Sequence, residues 1–193
     1  DIDLVLLTHE HIDHAGGVPF FGKSAMVAAH RLAANKLTLR DEFVLMNKAF
    51  GSQSDAFHID LFLSENTIIN LGNYELHVIH TPGHCSGAVC FYEPNHRLLF
   101  SGDVVMATGI VGGVLQSGNI SDSIHSMRRL ATLRIDHLFP GHGRISDRAE
   151  SDVQKGIARL ETLLEESKTL FEVVQNSQHG FDHIMRSLRD LNR

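Results

Sequence analysis

The sequence predicts a mixed α/β fold on three observations. A continuous apolar run near the start ends in a histidine-rich hexapeptide, short β-type segments follow one another between residues 67 and 101, and helix-period stripes occupy much of the second half. Ile2 to Thr8 reads as a buried strand, and Asp13 to Phe21 as a turn and short helix interrupted by Gly16 and Gly17. Met26 to Ala29 suggests a second strand, followed by a helical region of irregular apolar spacing to about Phe50. Thr67 to Asn70, Tyr74 to His80, Ala88 to Tyr92 and Arg97 to Ser101 form a β-meander, with turns at Gly72-Asn73, Pro82-Gly83 and Pro94-Asn95.

Ser121 and Asp122 are placed to cap a helix that carries Ile124, Met127, Leu130 and Ala131 on one face. His137 to Phe139 makes a last strand before Pro140-Gly141. After Asp147, Val153, Ile157, Leu160, Leu164, Phe171 and Val174 recur at three- and four-residue steps, with Glu161, Glu165 and Glu166 largely opposite: a long amphipathic helix. Phe181, Ile184, Met185, Leu188 and Leu191 repeat that spacing. No internal repeat or linker interrupts residues 1–193, so one domain is expected, with the C-terminal helices of 147–193 packing on it.

Composition narrows the function classes. At 193 residues and 42% hydrophobic, the chain can bury a core without staples. Its two cysteines, Cys85 and Cys90, supply neither a disulfide framework nor a thiolate zinc site, which points to a reducing compartment. No apolar run approaches the roughly 18 residues of a membrane span, so a soluble, cytoplasmic protein without a membrane partner is expected. A net charge of -6 argues against a general nucleic-acid binder.

Chemistry concentrates in His9-Glu10-His11-Ile12-Asp13-His14. In an extended strand exit, residues two apart face the same way, so His9 and His11 can grip one ion while Asp13 and His14, past the turn, reach another. Glu10 should face away from them, as a surface carboxylate or one supporting the ligands from behind. Three further candidates sit where strands end in tight turns: His84 in Thr81-Pro82-Gly83-His84, Asp103 in Ser101-Gly102-Asp103, and His142 in Pro140-Gly141-His142-Gly143. A glycine beside each lets the backbone turn sharply near an ion. Cys85 points away from His84 in an extended segment and reads as a packing thiol, and His80 as a structural residue.

Taken in order, His9-x-His11-x-Asp13-His14, His84 in TPGHCSG, Asp103 in SGD and His142 in PGHG resemble the ligand motifs of the metallo-β-lactamase fold superfamily, over roughly residues 1 to 146. The resemblance implies a four-layer αβ/βα sandwich with the site at one edge. It implies that His9, His11 and His84 bind one divalent ion and Asp13, His14 and His142 a second, with Asp103 bridging. Zinc suits such nitrogen and oxygen ligands best, and iron or manganese is compatible. Two such ions lower the pKa of water from 15.7 towards about 7, so a bridging hydroxide becomes the nucleophile, with Asp13 orienting it or relaying a proton.

The leading expectation is a metal-dependent hydrolase of (thio)ester-type small molecules similar to glyoxalase II. The C-terminal helices lack that group's basic cluster, however. A lactonase of the same fold usually adds a tyrosine after the aspartate, where this chain has none; its only tyrosines are Tyr74 and Tyr92. A phosphodiesterase or endoribonuclease would draw on Arg128, Arg129, Arg134, Arg144 and Arg148. A mononuclear iron persulfide dioxygenase would use only part of the ligand set, and a flavodiiron-like module carries Glu where His11 stands. Substrate selection is expected in the loop from Val104 to Asn119, whose Gly109, Gly112, Gly113 and Gly118 suggest mobility, and in the C-terminal helices. Family members usually carry several strands before the first motif, so N-terminal strands are expected to be missing ahead of Asp1. The exposed edges this leaves would invite pairing with a second copy.

Overall fold

The computed structural model describes residues 2–21, 25–46 and 58–176. Two sheets lie face to face. The first joins β1 (Leu4–Leu6), β2 (Met26–His30) and β3 (Leu61–Leu63) in parallel. The second runs in chain order from β4 (Ile68–Asn70) through β5 (Glu75–His80), β6 (Val89–Glu93) and β7 (Leu98–Gly102) to β8 (His137–Pro140). It is antiparallel except for the last pair, where β8 lies parallel to β7. A parallel partner needs a crossover, and the chain between β7 and β8 makes it through α4 (Ile120–Leu130).

Period-two alternation assigns each face. In β2, Val27 and Ala29 turn outward to pack with Ile12, Ala33, Leu37 and Leu45, which come from α1 (Ile12–Ala15), α2 (Arg31–Leu39) and α3 (Glu42–Leu45). Ala28 turns inward to meet Val78, Val89 and Phe91 between the sheets. Cys90, Tyr92, Leu99 and Leu138 face the other way, onto Ile124, Met127 and Leu130 of α4 and Val153, Ile157 and Leu160 of α5 (Ala149–Asn176). The layers are therefore helix, sheet, sheet, helix, as the resemblance implies.

Several elements differ from their sequence expectations. β1 is only three residues long, although backbone bonds from Met26 to Asp3 and from Leu7 to Ala28 carry its pairing beyond them. The helical region after β2 breaks into α2 and α3 because Arg40 takes a left-handed φ of 54°. α4 is capped by Asn119, whose side-chain oxygen accepts from both Ser121 N and Asp122 N, and not by Ser121 or Asp122 themselves. β3 had no expected counterpart: its apolar run is only Leu61 to Leu63, flanked by Asp60 and Ser64, and only Leu63 is buried. On α5 the stripe docks through Val153, Ile157, Leu160 and Leu164, whereas Phe171 is exposed. The helix expected over Phe181 to Leu191 lies outside the described residues.

Leu99 lies wholly buried where the second sheet meets α4 and α5, while Leu163 of α5 is 47% exposed. Leu99→Ala should lower the unfolding free energy by about 2–5 kcal/mol, and Leu163→Ala by no more than about 0.5 kcal/mol, in urea titrations. Equal effects would contradict the packing described.

Candidate metal centre

Each candidate side chain sits where a strand ends, and the ends converge. β1 leads into the segment carrying His9 and His11, and α1 presents Asp13 and His14 one turn later. The loop after β5 brings His84, β7 ends just before Asp103, and β8 just before His142. A backbone bond from Val89 N to Thr8 O (2.8 Å) fastens β6 to the start of the histidine segment, tying the two sheets together at this edge.

Glycines make the close approach possible. Gly83 has φ of +143°, and a β-carbon there would overlap the Ser123 backbone at the start of α4. A β-carbon on Gly112 would collide with the Asp103 carbonyl and the His84 ring. Gly112 therefore serves close packing against the site, a physical role distinct from the mobility expected of its loop.

All seven candidates are brought together. His9, His11 and His84 offer nitrogens within 4.8 Å of one another, as do the donor atoms of Asp13, His14 and His142; His9, His14 and Asp103 form a third such group that joins the first two. His84 Nε2 lies 2.9 Å from His11 Nδ1. His142 Nε2 lies 3.1 Å from both His14 Nε2 and Asp13 Oδ2. The Asp103 carboxylate lies 3.3 Å from His14, 3.5 Å from His142 and 3.8 Å from His84. Asp103 thus touches both trios.

The two trios differ in environment. His9, His11 and His84 are buried, whereas the His142 side chain is 51% exposed and that of Asp13 22%. His84 Nδ1 donates to the carbonyl of Gly113 (2.6 Å), which fixes its tautomer and leaves Nε2 as the lone-pair nitrogen facing the cluster. Burial holds the His9 imidazole well below its ordinary pKa, aided by the neighbouring His14. Burial and then His84 lower His11 to about 4, and burial also lowers His84. Burial raises the Asp103 carboxyl, but the contacts with His14 outweigh it and hold the group below its usual value.

These donors fit a divalent cation. His9 Nε2 and Asp103 Oδ1 are buried with no hydrogen-bond partner, and ring nitrogens of His11 and His84, and of His14 and His142, approach each other across the cluster. Unpartnered buried acceptors are costly, and a bound cation would give these two a partner.

Of the two places expected for Glu10, the surface is ruled out: the residue is fully buried, facing away from the histidines. Its carboxylate pairs with Lys36 and accepts from Ser117 Oγ (3.3 Å) and Cys85 Sγ (3.3 Å). Burial raises its pKa, but the Lys36 contact outweighs that and leaves it lowered. Cys85 turns away from the ligands, and burial, then Glu10, push its thiol well up. His80 stacks on His30 (centroids 4.0 Å apart) and its Nε2 meets Ser86 O at 3.0 Å. Sequence reasoning passed over Lys36 and Ser117, whose partners are distant in the chain.

A sandwich of two sheets flanked by helices, with a histidine and aspartate cluster at one edge, defines a metallohydrolase-type fold. The model of the metallo-beta-lactamase superfamily matches residues 1–142, and this chain belongs to that superfamily. It is 32% identical over 158 residues to the human acyl-coenzyme A thioesterase MBLAC2, covering 72% of this chain and 55% of that protein. It is 28% identical over 143 residues to a hydroxyacylglutathione hydrolase of Francisella tularensis subsp. novicida, covering 73% and 49%. The chain thus spans about half the length of these relatives. The crystal structure of TTHA1623 in a di-iron-bound form superimposes with a TM-score of 0.64 at 29% identity, covering 76% of this chain and 73% of that one. Among the described residues no helix is long and apolar enough to cross a membrane.

The depressed histidines dictate a pH response of the metal-free protein. His11 and His30 fall to about 4 in the fold from an ordinary 6.5, so as pH drops through that window the unfolded chain takes up protons that the folded chain does not. Stability is therefore full above 6.5 and lost progressively down to about 4. The melting temperature in chelator should fall steadily between pH 7 and 4.5; a flat profile would contradict the burial of these rings.

Proposed function

We propose that this chain is a dinuclear metal-dependent hydrolase of thioester-type small molecules. The observation that carries the reading is the convergence of two donor trios with the Asp103 carboxylate between them. His9, His11 and His84 would hold one ion, Asp13, His14 and His142 the other, and Asp103 would bridge. Zinc matches this donor set best, with iron or manganese compatible. When bound, the ions supply Lewis acidity, which brings a hydroxide-strength nucleophile within reach of neutral pH and steadies negative charge on the acyl oxygen.

The chain's own residues do the rest. The buried trio closes the inner side of the site, and the half-exposed His142 with Asp13 leaves the outer side open to substrate. Asp13 Oδ2, 3.1 Å from His142 Nε2 and in part solvated, can orient the attacking water and take its proton. Hydrolysis adds that water across the acyl C–S bond, giving a carboxylic acid and a thiol. A thiol of pKa near 8.5 leaves readily, so a weakly placed acid suffices.

Resemblance to an acyl-coenzyme A thioesterase and to a hydroxyacylglutathione hydrolase supports a thioester of a small carrier as substrate. The alternatives draw less support. Tyr92 donates to Arg134 O and Tyr74 lies beside His96, so neither stands as the tyrosine a lactonase would use. Arg128 and Arg129 pair with Glu161 and Glu65, which removes two cations from the patch a phosphodiesterase would need.

Purified protein should contain close to two transition-metal ions per chain by mass spectrometry and hydrolyse thioesters in preference to lactones and phosphodiesters. His84→Ala combined with Asp103→Ala should abolish that hydrolysis. One iron per chain with oxygen uptake on glutathione persulfide would overturn the reading.

A further inference from the structure

The His9-Glu10-His11 segment alternates as a strand exit should, so the side chain between the two histidines points away from them, into the protein. There it meets an assembled polar pocket. Glu10 is completely buried, and Lys36 of α2 reaches in to pair with its Oε1. Lys36 Nζ also donates to Ser86 Oγ (2.6 Å) and Ser117 Oγ (3.0 Å), while Ser117 Oγ accepts from Ser86 N (3.2 Å) and donates back to Glu10. Cys85 Sγ occupies the second carboxylate oxygen. Gly87 completes the walls, since a β-carbon there would overlap Glu10 Oε2 and Ala33.

One ammonium therefore ties together three loop segments. Through Glu10 it holds the His9 and His11 segment, and through Ser86 it holds the segment carrying His84 two residues earlier. Through Ser117 it holds the loop whose Gly113 carbonyl fixes the His84 ring and whose Leu115 N bonds His84 O (3.1 Å). Its three hydrogen bonds, to Glu10, Ser86 and Ser117, all serve the buried trio rather than Asp13, His14 or His142.

We infer that Lys36 and Glu10 are a positioning pair that makes the buried His9, His11 and His84 site the tighter of two unequal metal positions. The inference rests on the ligand assignment proposed above. Glu10 is wholly buried and Lys36 is 18% exposed, so desolvation, chiefly of the carboxylate, offsets much of their attraction, and the pair contributes mainly by fixing geometry. Residues that orient metal ligands from behind typically change metal affinity by 10–100-fold when removed.

The test is a zinc titration of metal-stripped protein against a competing chromophoric chelator, alongside a melting curve. Wild type should bind in two separable steps. Lys36→Met leaves the Glu10 charge unpaired and can unfold the chain, so the deciding variant is the neutral double substitution Glu10→Gln with Lys36→Met. It should weaken the tight step by about 10–100-fold and leave the weak step within about twofold, and Lys36→Arg should recover part of the loss. If wild type binds two ions, an unchanged tight step in the double variant would overturn the inference alone, as would equal weakening of both steps with a lowered melting temperature, the mark of a merely structural pair. A wild type that binds no zinc would overturn the ligand assignment as well.

Discussion

Electron-pair donors confront one another at the mouth between the two sheets, and much of the architecture exists to hold them there. His84 and His11 bring nitrogens to 2.9 Å, His14 and His142 to 3.1 Å, and Asp103 stands against members of both trios. In the unfolded chain such groups would be hydrated. His9, His11 and His84 are nevertheless buried, and the cost of keeping them so is met by the packing of both sheets and the helices outside them.

That confrontation explains features that are otherwise unrelated. Four strands, β1, β5, β7 and β8, end at this edge and lead directly to the donors. The glycines at 83 and 112 allow backbones to come closer than side chains would permit. The buried ion pair of Glu10 with Lys36 sits directly behind the first histidines, where it offers little to stability and much to register. The depressed histidine pKa values have the same origin: burial favours the neutral, lone-pair form that a cation requires.

The candidate donors were legible because His9 to His14 form a dense local pattern and His84, Asp103 and His142 follow in the order of a known set of motifs, although each of these three alone is an ordinary residue beside a glycine. Most strands were legible as well, through apolar runs bounded by Gly and Pro. β3 was not, because its apolar run is three residues long with no Gly or Pro beside it, and its pairing with β2 is a tertiary contact. The cap of α4 was misplaced by two residues, since Asn119, Ser121 and Asp122 are all good caps and only the extended backbone at 119 selects among them. Lys36 stayed hidden for a different reason. Its partner is 26 residues away and its serine contacts 50 and 81 residues away, so no local spacing announces it.

The central claim is that seven side chains from four strand ends form two adjoining cation sites. Anomalous diffraction from crystals grown with zinc tests it most directly. Two peaks are predicted, one contacted by His9, His11 and His84 and the other by Asp13, His14 and His142, with Asp103 touching both. A single peak, or zinc held by any other residues, would contradict the account.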